Sequence, residues 1–149
     1  MRWWILLALA ACTSEPKVAP PKSPLLRLAR TSDGAVKIEL LDGTVAVRAM
    51  EVELVASGGA AVIIEDAAPG PGVPLDSVRV KMAGTNRAVL FAGDTRGVRV
   101  GSSGELARVR ARAAAGGPAD GTLVIERAVL ADGEGAPITV ELGGALPLR

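Results

Sequence analysis

Residues 105 to 113 read Glu105-Leu106-Ala107-Arg108-Val109-Arg110-Ala111-Arg112-Ala113, and the fold turns on how they repeat. Alanine and arginine are good helix formers, so a helix over residues 105 to 115 is the competing assignment. In a helix, arginines two residues apart scatter around the axis. In a strand, alternate side chains share a face. A strand is therefore expected, with Ala107, Val109, Ala111 and Ala113 on one side and Arg108, Arg110 and Arg112 on the other.

The same period of two recurs along the chain. Val36, Ile38 and Leu40 alternate with Lys37 and Glu39; Met50, Val52 and Leu54 with Glu51 and Glu53; Val78, Val80 and Met82 with Arg79 and Lys81. Each is the pattern of a strand with one dry and one wet face. Shorter runs with weaker alternation lie at residues 62 to 64, 88 to 91, 98 to 100, 123 to 125, 129 to 130 and 138 to 142. Gly and Pro clusters at 57–59, 69–74, 101–104, 116–121 and 132–137 separate them, and Asp33-Gly34, Asp42-Gly43 and Asp132-Gly133 are turn dipeptides. Many short strands so punctuated indicate an all-β domain, an antiparallel sandwich or jelly roll. With 149 residues, 49% of them hydrophobic, the chain can build one core and has no room for a second domain.

The first residues have a different character. Arg2 is a short positive region, residues 3 to 9 are apolar, and Ala10 and Ala11 are small, which is the order of a secretory signal. The apolar run is too short to span a bilayer as a helix, which takes about 20 residues. Leu9-Ala10-Ala11-Cys12 resembles the bacterial lipobox, which implies a lipid on the Cys12 thiol and cleavage just before it. Cys12 is the only cysteine, so it has no partner for an intrachain disulfide. Thr13 stands where that family's sorting rule would place an aspartate to retain the protein at the inner membrane. The resemblance thus implies a lipid-anchored protein of the cell envelope, at the outer membrane if the source is Gram-negative. From 13 to 24 the chain reads Thr13-Ser14-Glu15-Pro16-Lys17-Val18-Ala19-Pro20-Pro21-Lys22-Ser23-Pro24, and its four prolines favour extended polyproline II. The expected organisation is a signal peptide over 1–11, a lipidated cysteine and tether over 12–24, and a β domain over 25–149.

Composition removes several functions. Of 17 Lys+Arg, Arg2 leaves with the signal, so the mature chain balances 16 bases against 16 Asp+Glu, without the basic excess that nucleic acid requires. There is no histidine, and the one cysteine is assigned to lipid, so zinc sites and histidine-based acid–base catalysis are not expected. Ser102 and Ser103 lie in a Gly-Ser-Ser-Gly turn without the spacing of a nucleophile elbow. Asp132 and Glu134 fall short of the six to eight oxygens that calcium takes, and a hairpin turn is the simpler assignment. No cofactor is expected beyond the covalent lipid.

Within residues 35 to 142 the order of strands carries a family resemblance. The stretch Val47-Arg48-Ala49-Met50-Glu51-Val52-Glu53-Leu54, then Phe91-Ala92-Gly93, then the arginine strand, then residues 122 to 138 with their Asp-Gly hairpin, resembles the cohesin domain and related carbohydrate-binding sandwiches. The resemblance implies a nine-stranded jelly roll that binds a dockerin module or a polysaccharide. It carries no binding residue over to this chain.

A non-catalytic binding lipoprotein with a protein partner is the expected function. A carbohydrate-binding module and a structural or assembly lipoprotein of the envelope are the alternatives. Phe91 is the only aromatic of the mature chain and is expected in the core, which argues against a sugar-stacking platform. The expected partner-binding face is Arg108, Arg110 and Arg112, whose guanidinium groups would grip carboxylates. The competing assignment pairs them with acids of a neighbouring strand near Glu51 and Glu53.

Overall fold

The alternating stretches assemble into two facing sheets in a computed structural model, which describes residues 23–41, 46–57, 62–70, 77–93, 104–113 and 121–148. The signal, Cys12, residues 98 to 100, Asp42-Gly43 and the two serines lie outside the described residues. Eight longer strands are β1 (Leu25–Arg30), β2 (Val36–Leu41), β3 (Val47–Ser57), β4 (Val62–Pro69), β5 (Ser77–Met82), β6 (Arg87–Gly93), β7 (Gly104–Ala113) and β8 (Thr122–Asp132). Three two-residue pieces follow: β9 (Pro137–Ile138), β10 (Glu141–Leu142) and β11 (Leu146–Pro147). No helix occurs among the described residues, and residues 104 to 113 are a strand.

One sheet has the order β10-β1-β2-β7-β4 and the other β11-β8-β3-β6-β5, with β9 beside β8. The inward side chains of both meet in one core, where Leu26, Ile38, Leu40, Val52, Leu54, Leu90, Leu106, Leu123 and Leu130 are fully buried. Among the described residues the pairing departs from all-antiparallel at one place. The C-terminal arm runs alongside β1 in the same direction, so β10 pairs with it in parallel, Leu25 against Glu141 and Leu26 against Leu142.

Among the described residues, four β-bulges shift which residues face the core. In β7, Ile38 pairs with Ala107 and Glu39 with Glu105, so Leu106 is an extra residue. Leu106 and Ala107 are consequently both buried, and Glu105 turns to the arginine face that strict alternation would deny it. Glu65 is the extra residue of β4, Glu126 that of β8 and Arg48 that of β3.

The Asp132 turn is built by its own carboxylate, whose Oδ1 accepts from the backbone N–H of Glu134 and of Ala136, each at 2.9 Å. Gly135, with φ 87°, supplies the left-handed residue that closes it.

Gly70 ends β4 against β7, donating its N–H to the Leu106 carbonyl at 3.2 Å. A Cβ there would lie 2.0 Å from the Glu105 carbonyl oxygen, inside the backbone of the neighbouring strand. Gly70→Ala is expected to lower stability by roughly 1–3 kcal/mol, read as a lower urea midpoint with an unchanged slope.

Candidate docking faces

Each sheet turns one wet face outward, and the two faces differ in chemistry. On the β1-β2-β7-β4 face, charges of opposite sign interlock. Glu39, whose side chain is only 7% exposed, lies between Arg27 and Lys37, each 2.6 Å away. Arg108 holds Glu105 at 2.8 Å and approaches Asp33 at 3.9 Å, while Arg112 is bonded to Glu65. Arg110 stands opposite Asp66 in the ladder. The three arginines do share one outer face, but their acids come from β7 itself, from the β1–β2 turn and from β4. Glu51 and Glu53 belong to β3 in the other sheet, where they pair with Arg127 and Arg87. A shallow notch of about 150 Å³ remains between the Asp33–Ala35 turn and Glu65, Arg110 and Arg112.

Burial alone would push the Glu39 carboxyl up, but hydrogen bonds from Lys37 and Arg27, with their positive charges, outweigh it and hold the group below its ordinary value. A depressed native value stabilises the fold at neutral pH, and that contribution fades as acid protonates the carboxylate below about pH 4.5. Glu39→Gln is expected to be less stable at pH 7 and to show a shallower loss of stability between pH 5 and pH 3 (roughly the range in which a depressed carboxylate titrates). Denaturant titrations across that range measure it. Thr31 donates to Asp33 and lowers its value, and Glu105 raises that of Arg108, so both stay charged in the pairs they make.

The outer face of β8-β3-β6-β5 is built in rows across the strands. Lys81, Val89, Glu53 and Arg127 form one row, and Arg79, Phe91, Glu51 and Val129 the next. Beyond them come Gly93, Ala49 and Ala131. The diagonal pairs Glu51–Arg127 and Glu53–Arg87, with Glu126 bonded to Arg87 at 2.9 Å, lay charge over one half of the sheet. The other half is left apolar. Phe91 is 43% exposed and Val129 49%, and beside them the small Ala49 and Ala131 leave a trough of about 310 Å³.

This overturns the expectation that Phe91 is in the core. Ala88, Leu90 and Ala92 point inward, so the strand's own alternation sends Phe91 outward. That signal was present in Arg87-Ala88-Val89-Leu90-Phe91-Ala92-Gly93. Val129 had no such signal, because the extra residue Glu126 reverses the parity of β8: Leu123 and Ile125 are buried, then Leu130. The trough, absent from the expected site, is lined mainly by apolar side chains, whereas the notch on the other face is lined by Asp33, Glu65, Arg110 and Arg112.

No protein-family model matches the sequence, and no curated protein matches it. Solved structures do match in shape. The sixth cohesin of scaffoldin B from Acetivibrio cellulolyticus, in complex with a mutant dockerin, has a TM-score of 0.66 at 11% identity, covering 86% of this chain and 100% of that one. The fold is cohesin-like. The solution structure of a cohesin from Clostridium acetobutylicum gives 0.65 at 14% identity over 87% of this chain and 92% of the other. A non-cellulosomal cohesin from the archaeon Archaeoglobus fulgidus gives 0.61 at 15% identity over 86% and 92%. The cohesin resemblance read in the strand order is thus a resemblance of fold, and the strands fall into the two sheets of such a sandwich.

Proposed function

We propose that the chain is a non-catalytic protein-binding module, held in the cell envelope by a lipid on Cys12, that docks a folded protein partner on the outer face of β8-β3-β6-β5. The observation that carries this is the exposed apolar trough around Phe91 and Val129. The sheet's inner face is already buried in the core, so the trough adds nothing to folding, and an aromatic in a small apolar depression is the kind of anchor that dominates protein interfaces. The cohesins of Acetivibrio cellulolyticus and Clostridium thermocellum to which the fold is similar were solved with dockerins bound, which supports a protein as the partner. Exposure of Phe91 removes one objection to a glycan ligand. Another stands: Glu51 and Arg79 are the only polar side chains lining the trough, whereas a sugar needs a denser set of hydrogen-bonding groups. The arginine face is the second candidate, favoured by the notch at Arg110 and Arg112.

Capture from an envelope extract separates these faces. Val129→Asp should weaken capture by about 30-fold or more, the loss of one hot-spot contact. The triple change of Arg108, Arg110 and Arg112 to Gln should leave most of it, with some loss of salt sensitivity. The reverse pattern moves docking to the arginine face, and retention on a neutral polysaccharide that Phe91→Ala abolishes makes the module a carbohydrate binder.

A further inference from the structure

On the outer face of β8-β3-β6-β5 the residues form stripes along the strands as well as rows across them. β5 presents two cations, Arg79 and Lys81; β6 presents Val89 and Phe91; β3 presents two acids, Glu51 and Glu53. The apolar stripe thus runs between a cationic stripe and an acidic one. Among the described residues Arg79 and Lys81 enter no ion pair, whereas Glu51 and Glu53 are bonded to Arg127 and Arg87.

This order of stripes is complementary to itself. When a second copy is turned face to face about a two-fold axis along β6, its β3 comes over β5 of the first copy and its β5 over β3. Opposite charges then meet in both rows, Arg79 with Glu51 and Lys81 with Glu53, and each contact is made twice because a two-fold interface uses the same patch on both copies. Val89 and Phe91 lie on the axis and meet their own counterparts, the two rings in the offset stack that aromatic pairs favour. An axis through Phe91 across the strands does the reverse, setting Arg79 on Arg79 and Glu51 on Glu51, and an axis along β3 sets acid on acid. Arg87 also falls on the β6 axis, but its charge is already offset by Glu53 and Glu126. Packed sheets lie about 10 Å apart, a gap that a glutamate and an arginine bridge from opposite sides. Rotation about this axis also leaves Pro24 of both copies at the same height along it, so two lipid tethers could enter one membrane.

We propose that the β8-β3-β6-β5 face docks a second copy of this chain about a two-fold axis along β6. The pairing rests on that face being a docking surface, as proposed above, and names one of its partners. Three overlapping strands, β5, β6 and β3, cover roughly 350 Å² of each copy in projection. That is below the size of stable complexes, so the pair is weak and reversible, half formed at about 0.1 to 1 mM. Phe91 is covered in the pair, and a different protein on the same face binds less tightly as the chain's own concentration rises.

Sedimentation of the chain from residue 12, with Cys12→Ser so that no acyl chain associates in its place, measures the pairing. The weight-average mass should rise from one chain toward two between about 10 μM and about 1 mM. Arg79→Glu with Lys81→Glu should weaken the pair by about tenfold or more, and Glu51→Arg with Glu53→Lys should do the same, because each sets like charges together. A mixture of the two variants should pair again, since the cations of one then face the acids of the other in both halves of the interface. A constant mass over that range, a pair that both variants leave intact, or a mixture that fails to pair while both variants keep the β circular dichroism of the parent overturns the proposal. If the β3 variant does not fold, the β5 variant decides alone, through loss or persistence of the rise in mass. A chain that stays monomeric while Val129→Asp still weakens capture of an envelope protein overturns the pairing and leaves the proposed function. Pairing without capture of any other protein supports the two-fold contact and counts against that function.

Discussion

Deleting Ala128 is expected to unfold the domain, whereas deleting Glu126 two residues earlier is expected to leave it folded. On one side of the bulge Ile125 pairs with Leu54, and on the other Arg127 pairs with Glu53, so Glu126 has no partner in β3. Without it, Ile125, Arg127, Ala128, Val129 and Leu130 still face Leu54, Glu53, Val52, Glu51 and Met50, and every side chain keeps its side. The loss is the pair with Arg87, between side chains 41% and 50% exposed, which is worth less than about 1 kcal/mol. Without Ala128, the same anchoring at Ile125 and Leu130 carries Arg127 to the place opposite Val52, where Ala128 packs against the core. A buried guanidinium without a partner costs about 3–5 kcal/mol, much of the 5–15 kcal/mol that holds a small domain together. Urea unfolding followed by far-ultraviolet circular dichroism measures both deletions. Equal midpoints would mean that Glu126 is not the extra residue.

The same bulge explains what could be read from the amino acids and what could not. Where a strand is regular, alternation placed its residues: Val36, Ile38 and Leu40 in β2 and Met50, Val52 and Leu54 in β3 are all in the core. Phe91 obeys that rule too, and its expected burial came from its size rather than from its position between Leu90 and Ala92. Val129 is different. A period of two counted from Leu123 through Ile125 puts Val129 inside, and only the pairing with β3 shows that one residue has been skipped. The partners of the arginines were likewise hidden, because a strand's own period says nothing of which strands flank it. Alternation made Glu51 and Glu53 plausible partners, but β3 belongs to the other sheet. The C-terminal arm was legible only in part: the expected run at 138 to 142 is divided between β9 and β10, and β11 is a two-residue contact that carries no period at all. Their hold is nonetheless firm, since Leu148 is buried and its N–H donates to the Gly121 carbonyl at 2.7 Å.

Replacement of Cys12 by serine is expected to move the protein out of the membrane fraction or to leave the signal uncut. The step at issue is acylation of a thiol, and a serine hydroxyl at the same place is a far weaker nucleophile because so little of it is ionised at neutral pH. Metabolic labelling with an alkyne fatty acid should therefore mark the wild type and not the variant. Fractionation adds a quantity to that outcome. Each buried CH₂ contributes about 0.8 kcal/mol, yet a single myristoyl-length chain gives only marginal, reversible binding, so firm retention needs a second anchoring signal. The tether cannot supply one from charge, since Lys17 and Lys22 are only two bases and Glu15 opposes them. Complete retention of the wild type after a high-salt wash thus implies more than one acyl chain at residue 12. A wild type that is labelled but washes off implies a single chain. Label on the serine variant would show that the lipid sits elsewhere, and the domain would then need another route to the envelope.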